Sequence, residues 1–318
     1  MKPVTTSLVL GSGGARGYAH IGAIEELLAQ GFDIRSVAGA SMGALIGGVY
    51  AAGKLAAYRD WVKPLQRMDV LRLLDWTFRG GLIKGDRIIA QLKELIGEVD
   101  IEHLSIPYTA VAVDLIAQRE VWFSRGPLFD AIRASIAIPT VFRPHHYQGR
   151  LLVDGGLLNP VPVTPTLRDL TDCTIAVDVN APVDDDEDDT AAALVAATAA
   201  DAAHDEDDVA VSGYRQRIAN LVDSFRREPK PEAKSDRTGD PGLLETFARS
   251  LDVIQATLTR FKLAAQPPDL VIGIPRDACA FYEFHRAGEL IELGRERTRI
   301  ALAGWRGRAG AEVKPEIS

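Results

Sequence analysis

Ser36-Val37-Ala38-Gly39-Ala40-Ser41-Met42-Gly43-Ala44-Leu45 is the stretch on which the fold turns. Ser36–Ala38 is strand-like, and Met42–Ala52 is an apolar, small-residue run of helical character that Gly53 can close. Between them lies Gly39-Ala40-Ser41-Met42-Gly43. A G-x-S-x-G pattern at a strand-to-helix junction makes a nucleophile elbow. The turn is tight enough to require small residues beside the serine, and it thrusts the hydroxyl out of the chain. The free N–H groups of the following helix favour negative charge developing there.

Alternation of the same kind extends on both sides. Thr6–Leu10 is a short apolar run ending at glycine, the mark of a buried strand. Ala19–Gln30 carries Ile21, Ile24, Leu27 and Leu28 at helical spacing, with Gly31 placed to end it. Ile88–Ile96 predicts a helix. Tyr108–Leu115, Val121–Phe123, Leu151–Val153 and Thr174–Val179 predict strands. Asp269–Ile274 predicts a last strand, and Glu289–Ala303 a closing helix. Strands separated by helices imply a layered α/β fold with a central, largely parallel sheet.

Composition agrees with an ordinary globular chain: 318 residues, 47% hydrophobic and 25% charged, with no apolar run long enough to span a membrane as a helix. The start, MKPVTTSLVLGSGG, is too short in apolar residues for a secretory leader. Cys173 and Cys279 cannot form a disulfide framework and suit buried thiols in a cytoplasmic protein. The net charge of −8 is local in origin. Eleven acidic residues and no Lys or Arg lie between Asp184 and Asp208, so the rest of the chain sums to +3. No dense basic patch exists, which argues against nucleic acid as a partner.

Two further motifs carry chemistry. Leu10-Gly11-Ser12-Gly13-Gly14-Ala15-Arg16-Gly17 follows the first strand and opens a helix. A dinucleotide fingerprint fits poorly, because Arg16 occupies its sixth position when the count starts at Gly11. The same geometry can present backbone N–H groups to an oxyanion, and a purely structural glycine turn is the third reading. Leu152-Val153-Asp154-Gly155-Gly156 places a carboxylate where a strand meets a glycine turn. By itself that Asp reads as a turn residue. Among six histidines, His285 completes the order Ser41, Asp154, His285 of a triad, yet it sits in an ordinary helical context. The alternative is a pair in which Asp154 takes the Ser41 proton directly, which demands contact and a sheltered carboxylate. His145-His146 is a poor chelate, and no Cys, His or carboxylate cluster has metal-ligand spacing.

Taken in order, Gly13-Gly14-Ala15-Arg16, Gly39-Ala40-Ser41-Met42-Gly43 and Asp154-Gly155-Gly156 resemble the patatin-like phospholipase family, in its bacterial, neuropathy-target-esterase-like branch. Gly17-Tyr18-Ala19-His20-Ile21-Gly22, Ala134-Ser135-Ile136-Ala137-Ile138-Pro139 and Leu157-Leu158-Asn159-Pro160-Val161-Pro162 extend the resemblance. It implies an α/β/α patatin-like fold and an acyl hydrolase of lipid esters such as phospholipid or lysophospholipid, with neither metal nor cofactor. It implies Ser41 as nucleophile and Asp154 as general base. It implies Gly13 and Gly14 as oxyanion donors, with Arg16 supporting their loop. Gly39 and Gly43 flank the elbow, and Gly155 and Gly156 follow the base. Ser12 departs from the pattern, standing where many relatives have a third glycine. The rival reading is a catalytically weak, membrane-associated regulatory or scaffold protein on the same fold.

The expected organisation is a core over residues 1–182, an acidic low-complexity and helical insertion over 183–266, and a return to the core over 267–318. Within the insertion, Tyr214–Phe225 predicts an amphipathic helix near several arginines, suited to peripheral contact with the inner face of a membrane. Leu244, Phe247, Leu251, Ile254, Leu258 and Phe261 form an apolar stripe. It can be an ordinary core-facing seam, a lid, a membrane-facing surface or a dimer seam, with the core seam the commonest use of such a pattern.

Overall fold

The computed structural model describes residues 3–73, 75, 83–183 and 243–311. The acidic run and the Tyr214–Phe225 helix expected from the sequence lie outside them. Packing divides the chain into two units, Met1–Pro182 with Ser250–Ser318, and Val183–Arg249.

The first unit is built on one sheet whose strands are β1 (Val4–Leu10), β2 (Phe32–Ala40), β3 (Tyr108–Asp114), β4 (Arg119–Phe123), β5 (His145–Tyr147), β6 (Arg150–Asp154), β7 (Cys173–Ala181) and β8 (Leu270–Pro275). Pairing runs β5-β6-β3-β2-β1-β7-β8, with β4 also on β3. The pairs β3–β2, β2–β1, β1–β7 and β7–β8 are parallel, and those of β4, β5 and β6 are antiparallel. The expected α/β architecture with a mostly parallel sheet is therefore present.

Helices α1 (Ala19–Ala29), α2 (Met42–Ala51), α3 (Leu55–Val62), α4 (Arg67–Leu73), α5 (Asp86–Ile96), α6 (Leu128–Ser135), α7 (Leu243–Ala265) and α8 (Ala287–Ala311) complete the described regular structure, with short 3-10 turns between. Strand side chains alternate between two apolar clusters. Leu8, Leu10, Ile175 and Val177 join the large core with residues of α1, α2, α6 and α8. Val9 and Ala176 face the other way, onto Val161, Val163 and Leu263 of α7. This period of two is the reason that central parallel strands read as unbroken apolar runs.

The small residues of α2 let it lie close to the sheet. A Cβ on Gly43 would overlap the carbonyls of Leu10 and Gly11, and one on Gly47 would stand 2.8 Å from Val37 Cγ1. Glycine weakens a helix by about 1 kcal/mol relative to alanine. Here it is what permits the approach that seats the start of α2 beside the end of β1.

α7 does not pack as a core-facing apolar seam. Ile254 is 49% and Phe261 69% exposed, and Val253 beside them is 66% exposed. Beside Leu263, the inward residues are polar: Asp252, Gln255, Thr259, Lys262 and Gln266 recur at spacings of three and four. Asp252 meets Arg16, Gln255 meets Ser12, Lys262 meets Glu120 and Gln266 meets Thr164. Thr259 is buried. The core-seam expectation is corrected at Ile254 and Phe261, while Leu251 and Leu258 are half-buried; the polar pairs dock one helical position around from the stripe.

Candidate active site

The site lies at the carboxyl ends of β1, β2, β6 and β7. Ser41 is the residue between β2 and α2, with φ 54° and ψ −124°. A non-glycine residue with positive φ is strained, and such strain persists only where surroundings enforce it. They do so here. The Ser41 N–H donates to Ser135 Oγ at 2.8 Å, and that hydroxyl donates to the Val111 carbonyl at 2.6 Å. A Cβ on Gly39 would overlap the Gly43 carbonyl, so the chain can cross itself here only because Gly39 lacks one.

Asp154 ends β6. Its backbone N–H donates to the Ala137 carbonyl at 3.0 Å. The side chain is buried, and Oδ1 accepts the Gly156 N–H at 2.7 Å. Oδ2 accepts from Ser41 Oγ at 2.5 Å, across 113 residues of chain. Burial drives the Asp154 carboxyl up from its ordinary value to about 7, while the bonds from Ser41 and Gly156 oppose the rise. Gly155 is pressed on the Val111 carbonyl, where a side chain would overlap.

The glycine loop is tied at its flanks. Gly11 N–H donates to the Val177 carbonyl at 3.0 Å, Ser12 N–H to the Pro160 carbonyl at 2.8 Å, and Ala15 N–H to the Phe281 carbonyl at 2.9 Å. Gly14 has φ +57°, and Gly13 lies against the Val179 side chain. Arg16 is buried behind this loop. Its Nη1 donates to the Arg276 carbonyl at 2.8 Å, and its Nη2 to Asn180 Oδ1 at 2.6 Å and Asp252 Oδ1 at 3.0 Å.

His285 takes part in a different contact. Arg67 Nε donates to its Nε2 at 3.3 Å, while Ser41 and Asp154 touch directly. His20 is fully buried, with Nε2 2.8 Å from the Gly11 carbonyl, and burial lowers its pKa to about 4. At neutral pH it is therefore an uncharged brace for the loop. His145 pairs with Asp130, away from Ser41. Among the described residues, no three His, Cys, Asp or Glu side chains gather in a way that could hold a metal ion.

The model of the patatin-like phospholipases matches residues 8–167. An uncharacterized NTE family protein of Mycobacterium tuberculosis (strain ATCC 25618 / H37Rv) is 43% identical over 93% of this chain and 91% of its own. The chain belongs to the patatin-like phospholipase family. A second uncharacterized NTE family protein of that strain is 34% identical over 54% of this chain and 30% of its own length. The neuropathy target esterase sws of Drosophila persimilis is 34% identical over 49% of this chain and 11% of its own. Among solved structures, VipD from Legionella pneumophila aligns over 96% of this chain and 67% of its own, at 14% identity and a TM-score of 0.46. Membership in this patatin-like family implies lipid hydrolase activity.

Sequence reading assigned no role to four polar residues at this site: Ser135, quoted only within a motif, and Asn180, Asp252 and Gln255. Asn180 had a findable signal, since it follows the apolar run of β7 at the same sheet end as Leu10 and Ala40, where α/β proteins assemble their sites.

Proposed function

We propose that the protein hydrolyses lipid esters, phospholipid or lysophospholipid among them, through Ser41 and Asp154 acting as a dyad. The contact of 2.5 Å between Ser41 Oγ and Asp154 Oδ2 carries this reading. A serine hydroxyl is a weak nucleophile unless a base takes its proton as it attacks. A carboxyl with a pKa of about 7 is a far better base than an ordinary one, and close to half ionised at neutral pH.

In the first step Ser41 Oγ bonds to the ester carbonyl carbon while its proton passes to Asp154 Oδ2. The carbonyl oxygen becomes an oxyanion, held by the N–H groups of Gly13 and Gly14. The carbon–oxygen bond to the alcohol then breaks, and Asp154 returns the proton to the leaving oxygen. In the second step Asp154 takes a proton from water, whose oxygen attacks the acyl carbon. The Ser41 ester bond breaks and the proton returns to Oγ. One amide donor to such an oxyanion contributes about 3 kcal/mol of barrier lowering.

Among the described residues, no helix is long and apolar enough to cross a membrane. We place the protein in the cytoplasm, meeting lipid peripherally. Turnover of a nitrophenyl ester and of lysophospholipid by Ser41→Ala and Asp154→Asn tests the dyad. Loss of at least about 10³-fold in both is expected, and retained turnover in both would end the proposal.

A further inference from the structure

Asn180 is buried at the end of β7 and stands in contact with two parts of the glycine loop. Its Oδ1 accepts from Arg16 Nη2 at 2.6 Å, and its Nδ2 donates to the Ser12 carbonyl at 2.7 Å. The direction of this amide is forced. A guanidinium only donates, so the atom facing Arg16 must be oxygen, and the NH₂ must face Ser12. Its backbone is fixed as well, because Asn180 N–H donates to Asp178 Oδ1 at 3.0 Å.

The consequence runs through one peptide plane. A trans peptide holds its C=O and the next N–H on opposite sides. Pinning the Ser12 carbonyl on Asn180 therefore fixes the Gly13 N–H to point the other way. Ser12 is held again at its side chain, which donates to Gln255 Oε1 of α7 at 3.1 Å. Gly156, two residues after Asp154, is the point where these elements converge: a Cβ there would stand 2.7 Å from both Gln255 Nε2 and Ser12 Oγ.

We infer that Asn180 and Gln255 are positioning residues which aim the Gly13 amide at the oxyanion, Asn180 through the Ser12 carbonyl and Gln255 through the Ser12 hydroxyl. This rests on the dyad reading above. It assigns a role to the serine that stands in place of glycine in the loop, and to a helix that the three motifs do not include.

The test compares Asn180→Ala, Asn180→Asp and Gln255→Leu on a nitrophenyl ester. Asn180→Asp keeps the acceptor for Arg16 and loses the donor to Ser12. If Asn180 served only to satisfy Arg16, the carboxylate would restore kcat. If it aims the Gly13 amide, kcat falls by about 10- to 100-fold in both Asn180 variants, KM stays within about threefold, and the pH midpoint of Asn180→Ala stays at the wild-type value. Gln255→Leu, on the helix rather than the sheet, is expected to lose about three- to tenfold in kcat with KM unchanged. It serves as the decisive variant should the Asn180 variants fail to fold. Wild-type kcat in Asn180→Asp or in Gln255→Leu would overturn the inference. A wild-type protein that turns over no ester would instead defeat the dyad reading beneath it.

Discussion

Ala40 and Asp154 stand against consecutive residues of one strand: Ala40 registers with Val111 in parallel pairing, and Asp154 with Ala112 in antiparallel pairing. β4 pairs with Ala110 through Asp114, overlapping both partners' stretches, so β2 and β6 must share the opposite edge of β3. Two strands running toward each other along one edge meet end to end. The serine just past the first and the carboxylate ending the second are thereby brought together without a loop having to position either. A serine–carboxylate contact held by sheet register is rigid, and the proposed reaction depends on one short proton path.

The first prediction concerns pH. Only ionised Asp154 can accept the Ser41 proton, and burial places its pKa at about 7. The value of kcat/KM for a soluble ester rises with pH and levels off above a midpoint near that value. A profile already flat from pH 5 would show that a group with an ordinary carboxylate pKa, or none, is the base.

The same shift predicts a stability effect of opposite sense. Between the carboxyl's ordinary value of 3.8 and about 7, the folded protein holds a proton that the unfolded chain has released. Stability contributed by that proton is complete below the lower value and lost as pH rises through the upper. Asp154→Asn removes the cost of burying the charge. Urea denaturation is expected to find it more stable than wild type at pH 8, with the gap closing toward pH 4.5. A less stable variant at pH 8 would contradict this.

Histidine should be dispensable. His285 bonds Arg67 and takes no part in the Ser41–Asp154 contact. His285→Ala is expected to retain kcat/KM within about twofold. A loss comparable to that of Asp154→Asn would restore the triad reading.

The glycine of the elbow should be irreplaceable on steric grounds. A methyl group on Gly43 would overlap backbone carbonyls of Leu10 and Gly11, whereas one on Gly31 meets nothing within 4 Å and bears only the strain of φ +85°. Gly43→Ala is expected to cost several-fold more stability than Gly31→Ala, whose strain is about 1 kcal/mol. Equal melting temperatures for the two variants would contradict the packing described.

Much of this was legible in the sequence. The strand–glycine–helix units were readable because strands buried on both faces must be apolar throughout, and because crossings as close as Gly39 over Gly43 admit no side chain. Ser41 and Asp154 stood out by their glycine neighbours. α6 escaped notice as a helix, and Ser135 was quoted without the role its hydroxyl has in bridging the elbow to Val111. Its eight residues are short for a periodicity signal. Asn180, Asp252 and Gln255 escaped because polar residues are ordinarily read as surface, and hydrogen-bond pairing, which buries Asn180 and docks the other two, leaves no trace in hydropathy. The orientation of α7 failed for the same reason. Replacing Ile254 or Phe261 by Ser is accordingly expected to leave the melting temperature nearly unchanged, since both are already largely open to water. A drop of the size caused by a core truncation would show that the stripe is buried after all.

The most direct test of the dyad is covalent. A fluorophosphonate ester should form one adduct, mapped by peptide mass spectrometry to Ser41, at a rate that rises with pH near 7 and falls at least about 100-fold in Asp154→Asn. An adduct at another residue, or one at Ser41 formed as fast without the Asp154 carboxylate, would contradict the account.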